Sequence, residues 1–460
     1  MTGTGAQGET IGTRMTPGRP RDASAPPTPG THAQLAYVDQ ARGLAILLVL
    51  LVHANQHVPD LSPIAHALAT FGQSGVQLFF VASAFTLCLS YGRSRNGRSA
   101  SGRAASGRAA SGRAASGRAA PSWPALGSFW LRRLFRIAPM YYAGILLYLF
   151  AHVVIDWRDH GSLTLPSAYT PGNLLANALL IHGFVPSANN TVVPGGWSIG
   201  TEMAFYLCFP LLFHVFQRVR GHGLLWLGWP LLVAACVNVA AQAWLHRGLG
   251  IDNDNNTFLF YNLLNQMPVF LIGMLFYFLT EDARRPALGA PRRVLVMGTI
   301  AGAASTAALW LSTHDLAFAF VPLALGATFA CLLALMRRAR PRADWLAGVG
   351  RLSYSIYVVH FVITWITMDL VNRAMAGKTL PEVRWLTGFV LVTGASVAIA
   401  RWTERAIEKP GIALGARVID ALHRDRRRDS SSGNGSGNRG GGVERGNVLS
   451  VRGTGPVAVR

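Results

Sequence analysis

Acidic residues are scarce. Asp and Glu together number 21 among 460 residues, against 42 Lys and Arg, and charged residues of all kinds make up only 14% of the chain. Soluble domains carry closer to a quarter of charged residues, so a string of water-exposed globular domains is excluded. Cysteine is nearly absent as well. Cys88, Cys208, Cys236 and Cys331 all fall in apolar stretches without paired C-x-x-C spacing; this excludes a disulfide framework and a zinc site and reads as buried, inert thiol. The first 33 residues, rich in Gly, Pro, Thr and Arg, lack the apolar core of a cleavable signal. Apolar side chains are what the sequence has in plenty: 51% of residues are hydrophobic and the mean hydropathy is +0.30. The composition is that of a polytopic membrane protein.

Apolar runs long enough to span lie near residues 36–56, 73–91, 134–154, 197–216, 223–244, 258–280, 294–312, 316–336, 350–371 and 384–402. They predict an all-α, polytopic transmembrane helix bundle of about ten spans. The stretch Asn173 to Val185 is apolar but too short to cross, and reads as an interfacial or re-entrant segment. Between the second and third spans lie Arg93, Arg95, Arg98, Arg103, Arg108, Arg113 and Arg118 with no acidic residue among them, and on the same side of a ten-span chain come Arg218, Arg220, Arg284, Arg285, Arg292, Arg293, Arg337, Arg338, Arg340 and Arg342. The opposite loops hold few cations, chiefly Arg158, Arg247, Arg373, Lys378 and Arg384. The positive-inside rule then places both termini in the cytoplasm. The same distribution accounts for the formal charge of +21 without invoking nucleic acid.

Three domain assignments follow. Residues 1–33 read as a disordered cytoplasmic tail, 34–412 as the membrane domain, and 413–460, with Arg424, Arg426, Arg427 and Arg428 running into Ser, Gly and Asn, as a disordered basic tail. Within the membrane domain, 92–128 is a loop built on four tandem Ser-Gly-Arg-Ala-Ala copies at 101–120. It is too short and too polar for a solenoid and reads as a linker, with attraction to anionic lipid headgroups as the other reading.

Polar groups inside apolar runs carry the functional signal. Arg42 and His53 bracket the run Gly43 to Val52. An ionisable residue at a helix centre costs roughly 2.5–3.5 kcal/mol on insertion scales. Eleven positions on an α-helix amount to about 1100°, which leaves the two about 20° apart on one face and roughly 16 Å apart along the axis. Snorkelling of Arg42 to the interface, with His53 marking the far end of the span, is the plain alternative. Arg132, Arg133 and Arg136 precede Pro139 at the start of the third span and form a cluster able to grip phosphate oxygens, or simply anchor the span. Trp197, Ser198, Glu202 and Tyr206 open the fourth span, with Ser198 and Glu202 sharing a face. In the ninth, Ser353, Tyr357 and His360 fall at i, i+4 and i+7, a polar seam suited to substrate or to helix-to-helix hydrogen bonds. His152, His182 and His314 sit near predicted loop edges and read as interfacial.

Taken in order, these segments resemble the acyltransferase-3 family of integral membrane acyltransferases over residues 35–412. The resemblance rests on Arg42 with ten residues before His53, on Gly72 to Phe85 (GQSGVQLFFVASAF), and on Arg132, Arg133, Arg136 and Pro139. It continues through Trp197 to Pro210 (WSIGTEMAFYLCFP), Gly350 to His360 (GRLSYSIYVVH), and the closing Ile407, Glu408, Lys409 and Pro410. Where the family has Ser-Gly-Phe this chain has Ser83, Ala84 and Phe85, which predicts slightly looser helix packing there.

The resemblance implies transfer of an acyl group, acetyl in the first instance, from cytoplasmic acyl-CoA as co-substrate to a hydroxyl of a carbohydrate or glycan acceptor, in a bacterial-type inner membrane and without a metal. It implies Arg132, Arg133 and Arg136 on the coenzyme phosphates, and His53 as general base or transient acyl carrier. Glu202 would orient the imidazole or stabilise the imidazolium, and Arg42 would polarise the thioester carbonyl or bind the coenzyme. The rival is a transporter or flippase in which Arg42, His53 and Glu202 form a substrate or proton path. No pair of matching inverted halves supports that rival. The oligomeric state is not legible.

Overall fold

The computed structural model describes residues 29–105, 123–161, 163–223, 225–250, 257–281, 291–310 and 317–433. Residues 1–28, repeat residues 106–122, the loop bearing His314 and the tail beyond 433 lie outside them. Among the described residues the regular structure is all helix, joined by turns and short loops, with no strand among them. The first half comprises α1 (Pro29–Asn55), α2 (Pro63–Thr70), α3 (Gly75–Ala105), α4 (Trp123–His160), α5 (Pro171–Ala178), α6 (Gly196–Val219) and α7 (Trp229–Leu249). The second comprises α8 (Phe258–Tyr261), α9 (Leu263–Thr280), α10 (Arg292–Trp310), α11 (Ala317–Ala339), α12 (Asp344–Arg351), α13 (Ser353–Met375), α14 (Pro381–Thr403) and α15 (Lys409–Gly433), with a π turn at Glu404–Glu408.

Nine helical segments among the described residues are long and apolar enough to cross a membrane. The remaining expected run, 294–312, is the helix α10, whose Gly, Ser and Thr dilute its apolarity. It nonetheless runs antiparallel along α11: a Cβ on Gly298 would lie 3.0 Å from Cys331 and one on Gly302 2.2 Å from Thr328. Small residues allow this approach, as membrane helices gain by close backbone packing rather than by hydrophobic exclusion.

Around α1 the same device recurs. A Cβ on Gly72 or Gly75 of the α2–α3 corner would strike the backbone oxygens of Leu48 and Ala45, and one on Gly350 of α12 that of Asp39. α1 is therefore gripped on both flanks, which sets the depth of Arg42 and His53. Ala84 does not loosen the packing of α3. It is fully buried, and Gly273 of α9 closes on it and on the Val81 carbonyl.

The sixth crossing is broken. Asn262 is extended (φ −64°, ψ 157°), which ends α8 and frees carbonyls inside the bundle. Side-chain amides re-satisfy them: Asn262 Nδ2 and Gln242 Nε2 donate to Leu259 O at 2.8 Å, and Asn265 and Gln266 donate to Phe260 O at 2.9 and 2.8 Å. A break at membrane depth survives only with such replacement bonds.

Three expectations change. Residues 413–433 are helical rather than disordered, since Gly411 and Gly415 let α15 lie against Pro139 and Phe135 of α4 and Ile419 is buried. The repeat loop likewise begins as helix: α3 carries on to Ala105 and α4 starts at Trp123. Only Cys88 of the four thiols is fully buried; Cys208 and Cys331 are half-buried and Cys236 is exposed on α7, because α7 packs by one face only.

Candidate active site

A cavity of about 400 Å³ opens among α1, α3, α4, α6, α13 and the π turn. One wall is charged, with Arg42, Arg133, Arg136, Arg351 and Lys409 set against Asp39, Glu202, Glu404 and Glu408; the other is Val76, Phe79, Phe80, Ile199 and Tyr357. It thus joins a cation-rich mouth to a semi-apolar interior, the usual construction of a site for a ligand with a charged head and a neutral arm.

Arg42 and Arg133 are held by hydroxyls of the neighbouring helix α3. Arg42 Nη2 donates to Thr86 Oγ1 at 3.0 Å, and that hydroxyl donates back to α3 carbonyls. A threonine hydroxyl on the adjoining helix thereby gives the guanidinium one polar partner inside the bundle. Arg133 donates to Ser90 Oγ at 3.2 Å and lies 5.8 Å from the ring centroids of both Phe129 and Tyr206. Its Nε is buried and unpartnered. Arg132 is exposed and lines a separate groove of about 350 Å³ between α4 and α15, which Arg133 and Arg136 also border. Arg136 follows Arg132 by four residues and Arg133 by three, but α4 turns Arg132 outward.

Glu202 accepts from Tyr206 Oη at 2.6 Å, one turn along α6. It therefore lies with the arginine cluster, and the residue that meets the His53 imidazole is Gln56, whose Oε1 is 2.9 Å from Nδ1. An amide oxygen only accepts, so His53 carries its proton on Nδ1 and presents Nε2 as a lone pair. The expectation that Glu202 orients His53 gives way to Gln56, three residues on and just past the end of α1. Helical spacing alone could have found it.

Tyr357 stands between the two ends. Ser198 Oγ donates to its oxygen at 2.8 Å, and its own hydroxyl donates to Gly195 O at 2.9 Å. Gly195 has φ +76°, a left-handed conformation that starts α6, and a side chain there would press on Tyr357 and Phe361 at 3.0 Å. The rings of Tyr357 and His360 lie 5.5 Å apart, and those of His360 and His53 5.2 Å apart. The predicted seam is divided: Ser353 and Tyr357 line the cavity, whereas His360 is fully buried beside His53, outside it. Trp197 does not line the cavity either. It stacks on Tyr261 with centroids 4.1 Å apart and meets the edge of Phe80.

Two features escaped the sequence reading. Glu408, accepting from Ser355 Oγ at 2.8 Å, reaches the cavity because the π turn rotates the chain after α14. Its signal was the closing Ile407–Pro410 segment, whose carboxylate had no role assigned. His182 is not interfacial but fully buried: its Nε2 is 2.9 Å from Gly196 O, and its ring stacks on Tyr141 at 5.2 Å. Burial holds its pKa below the ordinary histidine value. With Tyr357 on Gly195, it pins the start of α6, the helix from which Ser198 and Glu202 project.

The acyltransferase-3 family, described as an acyltransferase domain, matches residues 35–401. A stretch of 163 residues is 25% identical to the acyltransferase MdmB of Streptomyces mycarofaciens, covering 35% of this chain and 33% of that protein. The match thus spans about a third of the curated relative's length. No solved structure matches the chain.

Proposed function

From a chain that belongs to the acyltransferase-3 family and is a multi-pass helical membrane protein, we propose an enzyme that moves an acetyl group from cytoplasmic acetyl-CoA to a hydroxyl of a carbohydrate acceptor. The observation that carries this reading is the arginine-rich cavity that Arg42 of α1 lines, with the His53 imidazole farther along the same face of that helix, outside the lining and beyond Tyr357.

In this reading Arg133 and Arg136 take coenzyme phosphates at the mouth, with Arg132 on the outer groove. Guanidinium pairs suit phosphate because their N–H groups match its oxygens two at a time. The pantetheine arm lies along Phe79, Phe80 and Ile199, which brings the thioester toward Tyr357. Glu202 and Tyr206 fix the arginine cluster rather than the base.

His53 Nε2 takes the proton of the acceptor hydroxyl as its oxygen attacks the thioester carbonyl. Negative charge develops on that carbonyl oxygen within a few ångströms of His53; Arg42, roughly 16 Å back along the same face of α1 and lining the charged cavity, binds the coenzyme instead. Collapse of the tetrahedral adduct breaks the C–S bond, and the imidazolium returns its proton to the leaving thiolate. Gln56 holds the tautomer this requires. An acyl-imidazole on His53 would use the same lone pair in two steps.

The test is thiol release from acetyl-CoA by the purified chain in lipid, with a glycan extract as acceptor and with His53→Ala and Arg42→Ala alongside. Loss of a general base costs about 10²–10⁴-fold, so His53→Ala is expected to fall at least a hundredfold and Arg42→Ala to follow it. Wild-type rates from folded His53→Ala would reject the role given to His53. Silence from folded wild type would favour a transport path.

A further inference from the structure

Beside His53 a second imidazole has been left with an unused nitrogen. His360 is fully buried, and its Nδ1 lies 2.7 Å from Tyr357 O, so Nδ1 carries the proton and donates to that carbonyl. Nε2 is then a lone-pair acceptor, and it is buried without any partner. Buried side-chain acceptors without a donor are rare, and each calls for an explanation. The surroundings offer no donor: Phe361 packs against both imidazoles with centroids 4.2 Å away in each case, and His53 itself presents a lone pair. Helix packing explains the Nδ1 bond. It does not explain Nε2.

Resting on the acyl-transfer reading above, we propose that His360 Nε2 belongs to the acyl-acceptor subsite and accepts a hydrogen bond from a second donor on the acceptor, beside the hydroxyl that His53 deprotonates. His360 transfers no proton in this scheme; it is a positioning residue with direct contact to the acceptor. The ring centroids of the two histidines are 5.2 Å apart, and each nitrogen reaches a donor oxygen at about 2.7–3.0 Å. Two donors held this way stand a few ångströms apart, the spacing of neighbouring hydroxyls on a sugar ring. The subsite therefore selects a vicinal diol over an isolated alcohol. A site built to bond a second hydroxyl also discriminates strongly against acceptors that lack it, because the unmet nitrogen stays buried.

Two substitutions separate this role from plain packing. His360→Asn keeps an amide N–H where Nδ1 donates to Tyr357 O and removes Nε2; His360→Gln returns an acceptor oxygen at the position of Nε2. The assay is thiol release from acetyl-CoA by the full chain in lipid, with a glycan extract either intact or first cleaved at its vicinal diols by periodate and reduced. One lost hydrogen bond of this kind corresponds to about tenfold. His360→Asn is expected to raise the extract concentration for half-maximal release by at least that factor and His360→Gln to recover most of it, with the periodate-treated extract inactive for wild type. Wild-type behaviour of His360→Asn, equal losses in both variants, or full activity of the cleaved extract would each overturn the proposal while leaving acyl transfer standing. If His360→Asn does not fold, His360→Gln and the periodate comparison decide. Thiol release absent from folded wild type would remove the acyl-transfer reading, and this subsite with it.

Discussion

A buried histidine outside the spans gives the molecule an acid-sensitive point. His182 sits in the connection between α5 and α6 with Nε2 on Gly196 O and Nδ1 buried without a partner. Protonation would place a charge and a new N–H where neither is met, hence its depressed pKa. With the folded value below the unfolded one, near 6.5, its contribution is complete above pH 6.5 and fades as the pH falls from there toward the folded value. The slope for one proton is about 1.4 kcal/mol per pH unit. His57, also depressed by burial, titrates in the same direction, so the difference between wild type and His182→Gln is the quantity to read. Thermal midpoints in lipid from pH 7.5 to 5 should fall less steeply for His182→Gln, which keeps a donor for Gly196 O. Identical slopes would place the sensitivity elsewhere.

Among the elements, close backbone contact rather than side-chain volume sets the geometry of the site. A Cβ on Gly350 would stand 1.8 Å from Asp39 O and 2.9 Å from Gly43 N, all backbone, so α12 could admit alanine only by moving off α1. Overpacking costs about 1–3 kcal/mol where side chains can yield, and this contact cannot. Gly350→Ala is expected to reach or exceed the top of that range and to lower the folded yield. Gly394 on α14 has nothing within 4 Å of its Cβ position, and Gly394→Ala should instead gain about 0.5–1 kcal/mol of helix propensity. Thermal stability by size-exclusion would separate the two, and equal effects would refute the packing argument.

This level also shows what the sequence could carry. Hydropathy located every long apolar helix, because length and apolarity are local properties. Helical spacing identified the faces bearing Arg42, Ser198 and Tyr357, yet it says nothing of partners on other helices. That is why Thr86 on Arg42 and His53 beside His360 emerge only from the packed bundle. The π turn that swings Glu408 inward shifts register by one residue, which no periodic pattern records. α15 was hidden for another reason: its charges suggested a tail, while Ile412, Ala416 and Ile419 supply the apolar edge of its groove against α4.

For the whole molecule the deciding question is which way the cavity faces. The ends of α1 and α3 nearest Arg42, the starts of α4 and α13, and the π turn all lie at the cavity mouth, and this is the end where Arg133, Arg136, Arg351 and Lys409 gather. The far end holds Asp60, paired with Arg384, and Glu382, which accepts from Ser62 N at 3.1 Å. The positive-inside rule points the mouth at the cytoplasm, where acyl-CoA would be met. If α10 crosses alongside α11, both chain ends share that side; if it does not, the ends are divided. Fluorescent-protein fusions at the two termini, set against a phosphatase fused after Gly377 in the connection between α13 and α14, read this directly. Fluorescence at both ends with phosphatase activity at Gly377 is the expected pattern. A fluorescent N-terminus with a dark C-terminal fusion would mean that α10 does not cross, and phosphatase silence at Gly377 with dark termini would turn the cavity outward and remove a cytoplasmic coenzyme as its ligand.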